Sequence, residues 1–212
     1  MTLTFYTNPM SRGRIVRWMI EETGADYDTV VLDYASSMKA GDYLAINPMG
    51  KVPAIVHDGH VVTECAAICA YLADAFPGAG LAPPVADRAA YYRWLFYAAG
   101  PVEQAVTMKA IGVEPPAEKS GMIGFGSFDK MVDVLESAVS ATPFVAGDRF
   151  SAADVYLGSQ IAWGTQFGTL PKRDGFTAYL ARILARPAYA RANAKDDALI
   201  AAAATAAAPA EV

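Results

Sequence analysis

Apolar and polar positions change period several times along the first eighty residues, and each change marks an element. Residues 2–7 read as a strand, 12–23 as an amphipathic helix and 28–33 as a second strand, followed by a looser helical stretch before Asn47. Residues 52–56 form a short apolar run led by Pro53, a residue tolerated at the start of a strand, where no ladder N–H is needed. Asp58-Gly59 is a two-residue turn favouring positive φ, and it predicts an antiparallel hairpin with the Val61-Val62-Thr63 strand. From Glu64 the spacing becomes helical through Cys65, Ile68, Cys69, Leu72 and Phe76, until Pro77-Gly78 ends it.

The resulting order, βαβ followed by ββα, is the thioredoxin-like order. Strand signals nearly vanish beyond the Pro- and Gly-rich stretch at 77–84, so a domain boundary is expected at about 77–86. This gives an α/β domain over residues 1–78 and an all-α helical bundle over 86–212. An aromatic-rich helix at 87–107 is expected to kink at Gly100-Pro101, and residues 113–126 read as loop. A second helix spans 128–141. Ser151-Ala152-Ala153-Asp154 is a Ser-x-x-Asp capping box, with Phe150 and Val155 placed as a hydrophobic staple, which makes Asp154 structural. The Ala-rich end at 201–208 favours helix but has nothing to bury, so fraying is expected there.

Across 212 residues, 54% hydrophobic and 18% charged content indicates a well-buried core and excludes a disordered chain. A net charge of −5 argues against a nucleic-acid partner, which needs a concentrated basic surface. Arg12, Arg14 and Arg17 form the one basic cluster of note, and Glu21 and Glu22 follow it directly. No apolar run approaches the ~20 residues that span a membrane, and no secretory signal is read, so a cytoplasmic location is the default expectation. Cys65 and Cys69 are the two cysteines, and four residues apart on one helix they make no disulfide framework.

The start of the 52–56 strand and the start of the helix after Glu64 fall at the same end of the hairpin. A helix N-terminus there is a ready site for a carboxylate, and Val52 can present its backbone N–H and C=O to an extended peptide. The segments NPMGKVPAIV and TECAAICAYLAD resemble the glutathione-binding half of the cytosolic glutathione transferases, and the Ser-x-x-Asp box is similar to one in their helical domain. The resemblance covers essentially the whole chain. It implies glutathione as co-substrate, with Val52 before a cis Pro53 pairing with the cysteinyl backbone and Glu64 meeting the γ-glutamyl amine. Cys65 replaces the family's serine at the γ-glutamyl carboxylate; its N–H survives, but a thiol is a poor donor. Lys51 is placed to reach the glycine carboxylate, or is simply solvated. A homodimer is implied by the resemblance alone.

Glutathione chemistry needs a thiolate, and a hydroxyl at a helix N-terminus stabilises one by a hydrogen bond plus the helix dipole. Ser11, in the loop opening the first helix, is the first candidate and resembles the Ser-type transferases; its bland alternative is an N-cap. Tyr6 is similar to the Tyr-type residue, although the loop from Tyr6 to Arg12 is longer than theirs, and its alternative is strand packing. Arg12 is the third candidate, through its charge. A metal site is not expected: His57 and His60 flank the turn as an exposed cross-strand pair, and Cys65 lies roughly 16 Å along at about 3.3 Å per residue. Cys65 as a redox nucleophile lacks a Cys-x-x-Cys partner. An electrophile pocket is expected between the domains, with Met10, Tyr92, Phe96, Met108 and Trp163 as walls, although aromatic residues at helical spacing more often pack inward. The reading is a glutathione transferase acting on small hydrophobic electrophiles. Its alternatives are a non-catalytic binding protein, or a glutathione-dependent peroxidase, isomerase or dehalogenase.

Overall fold

The computed structural model describes residues 2–207, which divide into two units: Met1–Ala79 with Arg186–Val212, and Gly80–Ala185. In the first unit the elements run β1 (Leu3–Thr7), α1 (Gly13–Thr23), β2 (Asp28–Val31), α2 (Gly41–Ile46), β3 (Ala54–His57), β4 (His60–Thr63) and α3 (Cys65–Ala75), with α9 (Pro187–Ala207) joining from the chain's end. The sheet order is β2-β1-β3-β4, with β1 parallel to β2 and antiparallel to β3, and β3 antiparallel to β4. This is the expected thioredoxin-like arrangement.

β1 is central. Leu3, Phe5 and Thr7 are buried, while Tyr6 packs into a cluster of Leu32, Met38, Tyr43 and Ala54 that also takes up Val52. α1 buries Ile15, Val16, Trp18, Met19 and Ile20, and it stops at Gly24, whose φ of 70° is the left-handed stop that favours glycine. At the hairpin, Asp58 (φ 47°) and Gly59 (φ 85°) both adopt positive φ, as a two-residue turn between right-twisted strands requires. His57 and His60 face each other across that turn, but His57 is buried, contrary to the expected exposed pair. The reason is Tyr71 and Phe76: the Tyr71 hydroxyl lies 3.0 Å from His57 Nδ1, and the Phe76 ring stacks at 5.3 Å. Tyr71 sits on α3, which covers this strand, and Phe76 directly follows it, a covering that the hairpin pattern by itself does not reveal.

The second unit is helical: α4 (Ala89–Tyr97), α5 (Glu103–Ala110), α6 (Phe128–Ala141), α7 (Ala152–Phe167) and α8 (Asp174–Ile183). α4 and α5 are joined by a π-helical turn at Ala98–Val102 that contains Pro101. The break expected at Gly100-Pro101 thus takes the form of a widened turn. The 113–126 stretch holds a short 3₁₀ segment at Ala117–Met122. α7 is buried on nearly every side, and its start carries the expected capping box, with Phe150 and Val155 both buried. Gly158 lets α8 approach closely, since a Cβ there would stand 2.2 Å from Ile183 Cδ1.

The sequence reading places α9 in the helical domain of residues 86–212, whereas it packs on α1 of the first unit. The contacts responsible are charge pairs between residues more than 160 positions apart, which no local pattern signals. The helix is continuous to Ala207 with residues 201–206 exposed; Ala208, also in the expected frayed end, lies outside the described residues. Among the described residues no helix is long and apolar enough to cross a membrane, and no group of three or more His, Cys, Asp or Glu side chains is placed to hold a metal ion.

Candidate active site

Three chain segments of the first unit converge: the loop opening α1, the turn before β3 and the start of α3. In the first, Asn8 is the organiser. Its carbonyl accepts from Ser11 N (3.1 Å) and Ser11 Oγ (2.6 Å), its Oδ1 accepts from Met10 N (2.9 Å), and its Nδ2 donates to Leu32 O (2.8 Å). Ser11 Oγ in turn accepts from Gly13 N at 2.9 Å, so the hydroxyl is tied to the first turn of α1. Gly13 is required there: a Cβ would lie 1.9 Å from Thr7 Oγ1 and 3.0 Å from Ser11 Oγ. Ser11 thereby makes the turn-closing bonds of its structural alternative, while standing at the N-terminus where an anion is favoured.

The second segment holds the cis Val52-Pro53 bond. The β1–β3 ladder ends with Tyr6 opposite Ala54, so the sheet leaves the Val52 N–H and C=O unused. Tyr43 Oη (2.5 Å) and Asn47 Nδ2 (2.8 Å) donate to Lys51 O, and Lys39 Nζ donates to Gly50 O (2.6 Å), which fixes the loop from behind. Lys51 itself is exposed.

The third segment begins at Glu64, an exposed residue with φ 67° and ψ 120° that immediately precedes α3. Its carbonyl accepts from Ile68 N (2.8 Å), so α3 starts directly after it, with the N–H groups of Cys65, Ala66 and Ala67 in the first turn. Cys65 is buried, and its Sγ contacts Arg12 O at 3.5 Å. That contact, between residues 53 positions apart, brings the Ser11-Arg12 loop against the start of α3. The Cys65 thiol thus points to the protein's own backbone.

A tripeptide with two carboxylates and an ammonium fits this arrangement. The first-turn N–H groups of α3 and the Glu64 carboxylate suit its γ-glutamyl end, the Val52 backbone that the sheet does not use suits its middle, and the Lys39 and Lys51 cations stand on the side of the Gly50 turn. Sequence reasoning missed Asn8 and Lys39. Asn8-Pro9 was legible as a turn-initiating dipeptide, whereas Lys39 carries no signal, because its nearness to Gly50 is purely tertiary.

The remaining residues are less closely grouped. Tyr6 is half-buried, its ring 5.6 Å from that of Tyr43, which is the strand-packing alternative. Arg12 and Met10 are exposed, Met10 at 76%, and Tyr34 Oη donates to Met10 O at 3.2 Å. In the second unit Met108 lines a cavity of about 400 Å³ with Lys109, Phe125 and Phe128, a wall that Tyr92, Phe96 and Trp163 do not share. Tyr92 and Phe96 (66% exposed) lie on the surface of α4 with ring centroids 6.5 Å apart, and Trp163 is half-buried on α7. The inward packing expected of aromatic residues holds for Tyr91 and Trp94 on the opposite side of α4 and fails for Tyr92 and Phe96.

This geometry agrees with comparison to known proteins. The family model for the glutathione S-transferase N-terminal domain matches residues 1–74, and that for the C-terminal domain matches residues 93–187. Glutathione S-transferase 3 of Zea mays is 30% identical over 206 residues, covering 88% of this chain and 91% of the plant protein. Among solved structures, a glutathione transferase from Methylococcus capsulatus matches with a TM-score of 0.77 at 30% identity, covering 93% of this chain and 100% of that one. A glutathione transferase homologue from Sulfitobacter with bound glutathione matches with a TM-score of 0.71 at 30% identity, covering 92% and 98%. The chain belongs to the glutathione S-transferase family, and its activity is that of a glutathione transferase.

Proposed function

We propose that this transferase is of the Ser type, with Ser11 stabilising the glutathione thiolate and small hydrophobic electrophiles as its second substrates. The observation that carries the reading is the contact of Cys65 Sγ with Arg12 O, which holds the Ser11 loop beside the N-terminus of α3. Glutathione then lies across the three segments, with its γ-glutamyl carboxylate on the first N–H groups of α3, its amine on Glu64 and its cysteinyl backbone on Val52. Lys39 and Lys51 meet the glycine carboxylate. The Ser11 O–H turns from Asn8 O to the sulfur, the thiol proton passes to solvent, and the sulfur lone pair forms the new bond to an electrophilic carbon, whose bond to the leaving group breaks as that group departs to solvent with the bonding pair. Met10, exposed in the Ser11 loop, supplies an apolar wall. Detoxification of such electrophiles in the cytoplasm is the setting this chemistry suits.

The test is spectroscopic titration of the bound glutathione thiol. Ser11→Ala is expected to raise its pKa by about one unit, a tenfold loss of thiolate near neutrality, while Tyr6→Phe leaves it nearly unchanged. The reverse pattern overturns the assignment, and absence of glutathione binding by wild type overturns the whole site.

The exposed Tyr92 and Phe96 favour a homodimer that covers this part of α4. Phe96→Glu is expected to shift the wild-type dimer toward monomer in sedimentation velocity; a wild type that sediments as a monomer sinks this proposal.

A further inference from the structure

The basic cluster and the acidic pair on α1 run against that helix's own dipole. Arg14 and Arg17 lie toward its N-terminus and Glu21 and Glu22 toward its C-terminus, the order that weakens an isolated helix. α9, with Arg186 directly before it, supplies the compensation in antiparallel register. Arg14 pairs with Asp197, Arg17 Nε with Asp196 Oδ1 at 2.8 Å, Glu21 with Arg191 (3.1 Å) and Lys195, and Glu22 with both donors of the Arg186 fork at 2.7 Å. Charge sign thus sets both the direction and the register of α9. The Arg17–Asp196 pair is the most deeply placed, at 2% and 0% side-chain exposure, and Arg17 also donates to Tyr27 Oη (3.1 Å) and Thr29 Oγ1 (3.3 Å). Trp18 meets Tyr189 edge to face beside it, with ring centroids 4.9 Å apart.

None of the ladder's residues is among those proposed to hold glutathione, yet its Arg14 and Arg17 pairs grip the first two turns of the helix that carries the Ser11 loop. Ser11 Oγ is bonded to Gly13 N, so the hydroxyl moves with the first turn of α1. Arg14 is one residue further on, and Arg17 begins the next turn. We infer that Asp196 and Asp197 of α9 are positioning residues for the thiolate: by anchoring Arg17 and Arg14 they hold the start of α1, and with it the Ser11 hydroxyl, in line with the glutathione sulfur. This rests on the Ser11 reading.

Asp196→Asn and Asp197→Asn, measured in the full-length protein, separate the possibilities because the effects differ in sign. Loss of positioning lowers the thiolate fraction of bound glutathione near neutral pH. The expected loss is about three- to tenfold for Asp196→Asn and less for Asp197→Asn, which is 65% exposed. Binding of S-methylglutathione, which has no thiol, is expected to stay within about twofold of wild type. The charge swap Arg14→Asp with Asp197→Arg is expected to restore what Asp197→Asn loses. A direct field effect predicts the opposite, since removing an anion beside Arg14 raises the thiolate fraction. A purely structural role lowers the melting temperature and leaves the bound thiol unmoved. Either of these results overturns the inference. If Asp196→Asn alone fails to fold, Asp197→Asn and the swap still decide. A Ser11→Ala background distinguishes the two readings: there Asp196→Asn is expected to have no further effect on the thiol. Should Ser11→Ala itself leave the thiol pKa unmoved, the Ser11 assignment fails, whereas an unmoved Asp196→Asn beside a shifted Ser11→Ala overturns only the role of α9.

Discussion

Asp154→Ala is expected to destabilise the protein by at least about 4 kcal/mol, lowering its melting temperature by roughly 10 °C. The carboxylate is fully buried and accepts four hydrogen bonds: from Val145 N (2.7 Å) and Tyr179 Oη (2.8 Å) on one oxygen, and from Ser151 N (2.9 Å) and Ser151 Oγ (3.0 Å) on the other. Truncation strands these donors in a site closed to water, at about 1–3 kcal/mol for each that finds no substitute. The sequence reading of Asp154 as a helix cap accounts for Ser151 only. Val145 and Tyr179 make it a junction joining the preceding loop and α8 to the start of α7. An exposed helix cap costs about 1 kcal/mol to remove, so a loss that small in urea denaturation would contradict the junction.

The same carboxyl has a pH signature. Burial pushes the Asp154 carboxyl above its ordinary value, with the hydrogen bonds from Val145, Tyr179 and Ser151 pulling the other way. A raised value means that the folded chain keeps this proton at a pH where the unfolded chain has lost it. Stability from this group is therefore fully present below about pH 4 and falls as pH rises through the window up to the raised value. Asp154→Asn lacks the titration. Relative to that variant, wild type is expected to lose stability as pH rises above about 4, and a difference that grows with pH would refute the sign.

Glu64→Gly is expected to move stability and binding in opposite directions. At φ 67° and ψ 120° Glu64 occupies backbone space that disfavours any side chain, at a cost of about 1–3 kcal/mol. Glycine removes that strain and returns about 1 kcal/mol of it through its freer unfolded chain. A net gain of about 1 kcal/mol, or 2–4 °C in melting temperature, is expected. If Glu64 meets the γ-glutamyl amine as proposed, glutathione affinity falls at least about thirtyfold, a loss of about 2 kcal/mol or more. Glu64→Ala keeps the strain and loses the affinity without the stability gain. Calorimetric titration and thermal unfolding of the two variants check both arms. Wild-type affinity in Glu64→Gly would remove Glu64 from the site.

Much of this was legible before any coordinates. The two-residue turn at Asp58-Gly59, the proline opening β3 and the change of period at Glu64 predict the hairpin and α3, because turn chemistry and side-chain periodicity act over a few residues. The backbone of Val52 could be placed for the same reason, whereas the role expected of Glu64 came from the family resemblance. Asn8 and Lys39 were not, since what matters in each is the group it meets: Leu32 for the Asn8 amide, Gly50 for the Lys39 ammonium. His57 was misplaced at the surface because alternation along a strand says which side a residue faces and not what covers that side. Tyr92 and Phe96 erred in the other sense, as apolar residues for which the described chain supplies no cover.

The linear sequence by itself determined the main elements and the capping box at Ser151, which depend on local backbone preference and spacing. Tertiary structure alone decided that Cys65 turns its sulfur onto Arg12 O, that Asp154 ties a loop and two helices together, and that α9 returns to α1. The physical reason is the same in each case. A polar group leaving water needs a partner, and which partner it finds among residues 9 to 179 positions away depends on how the whole chain packs.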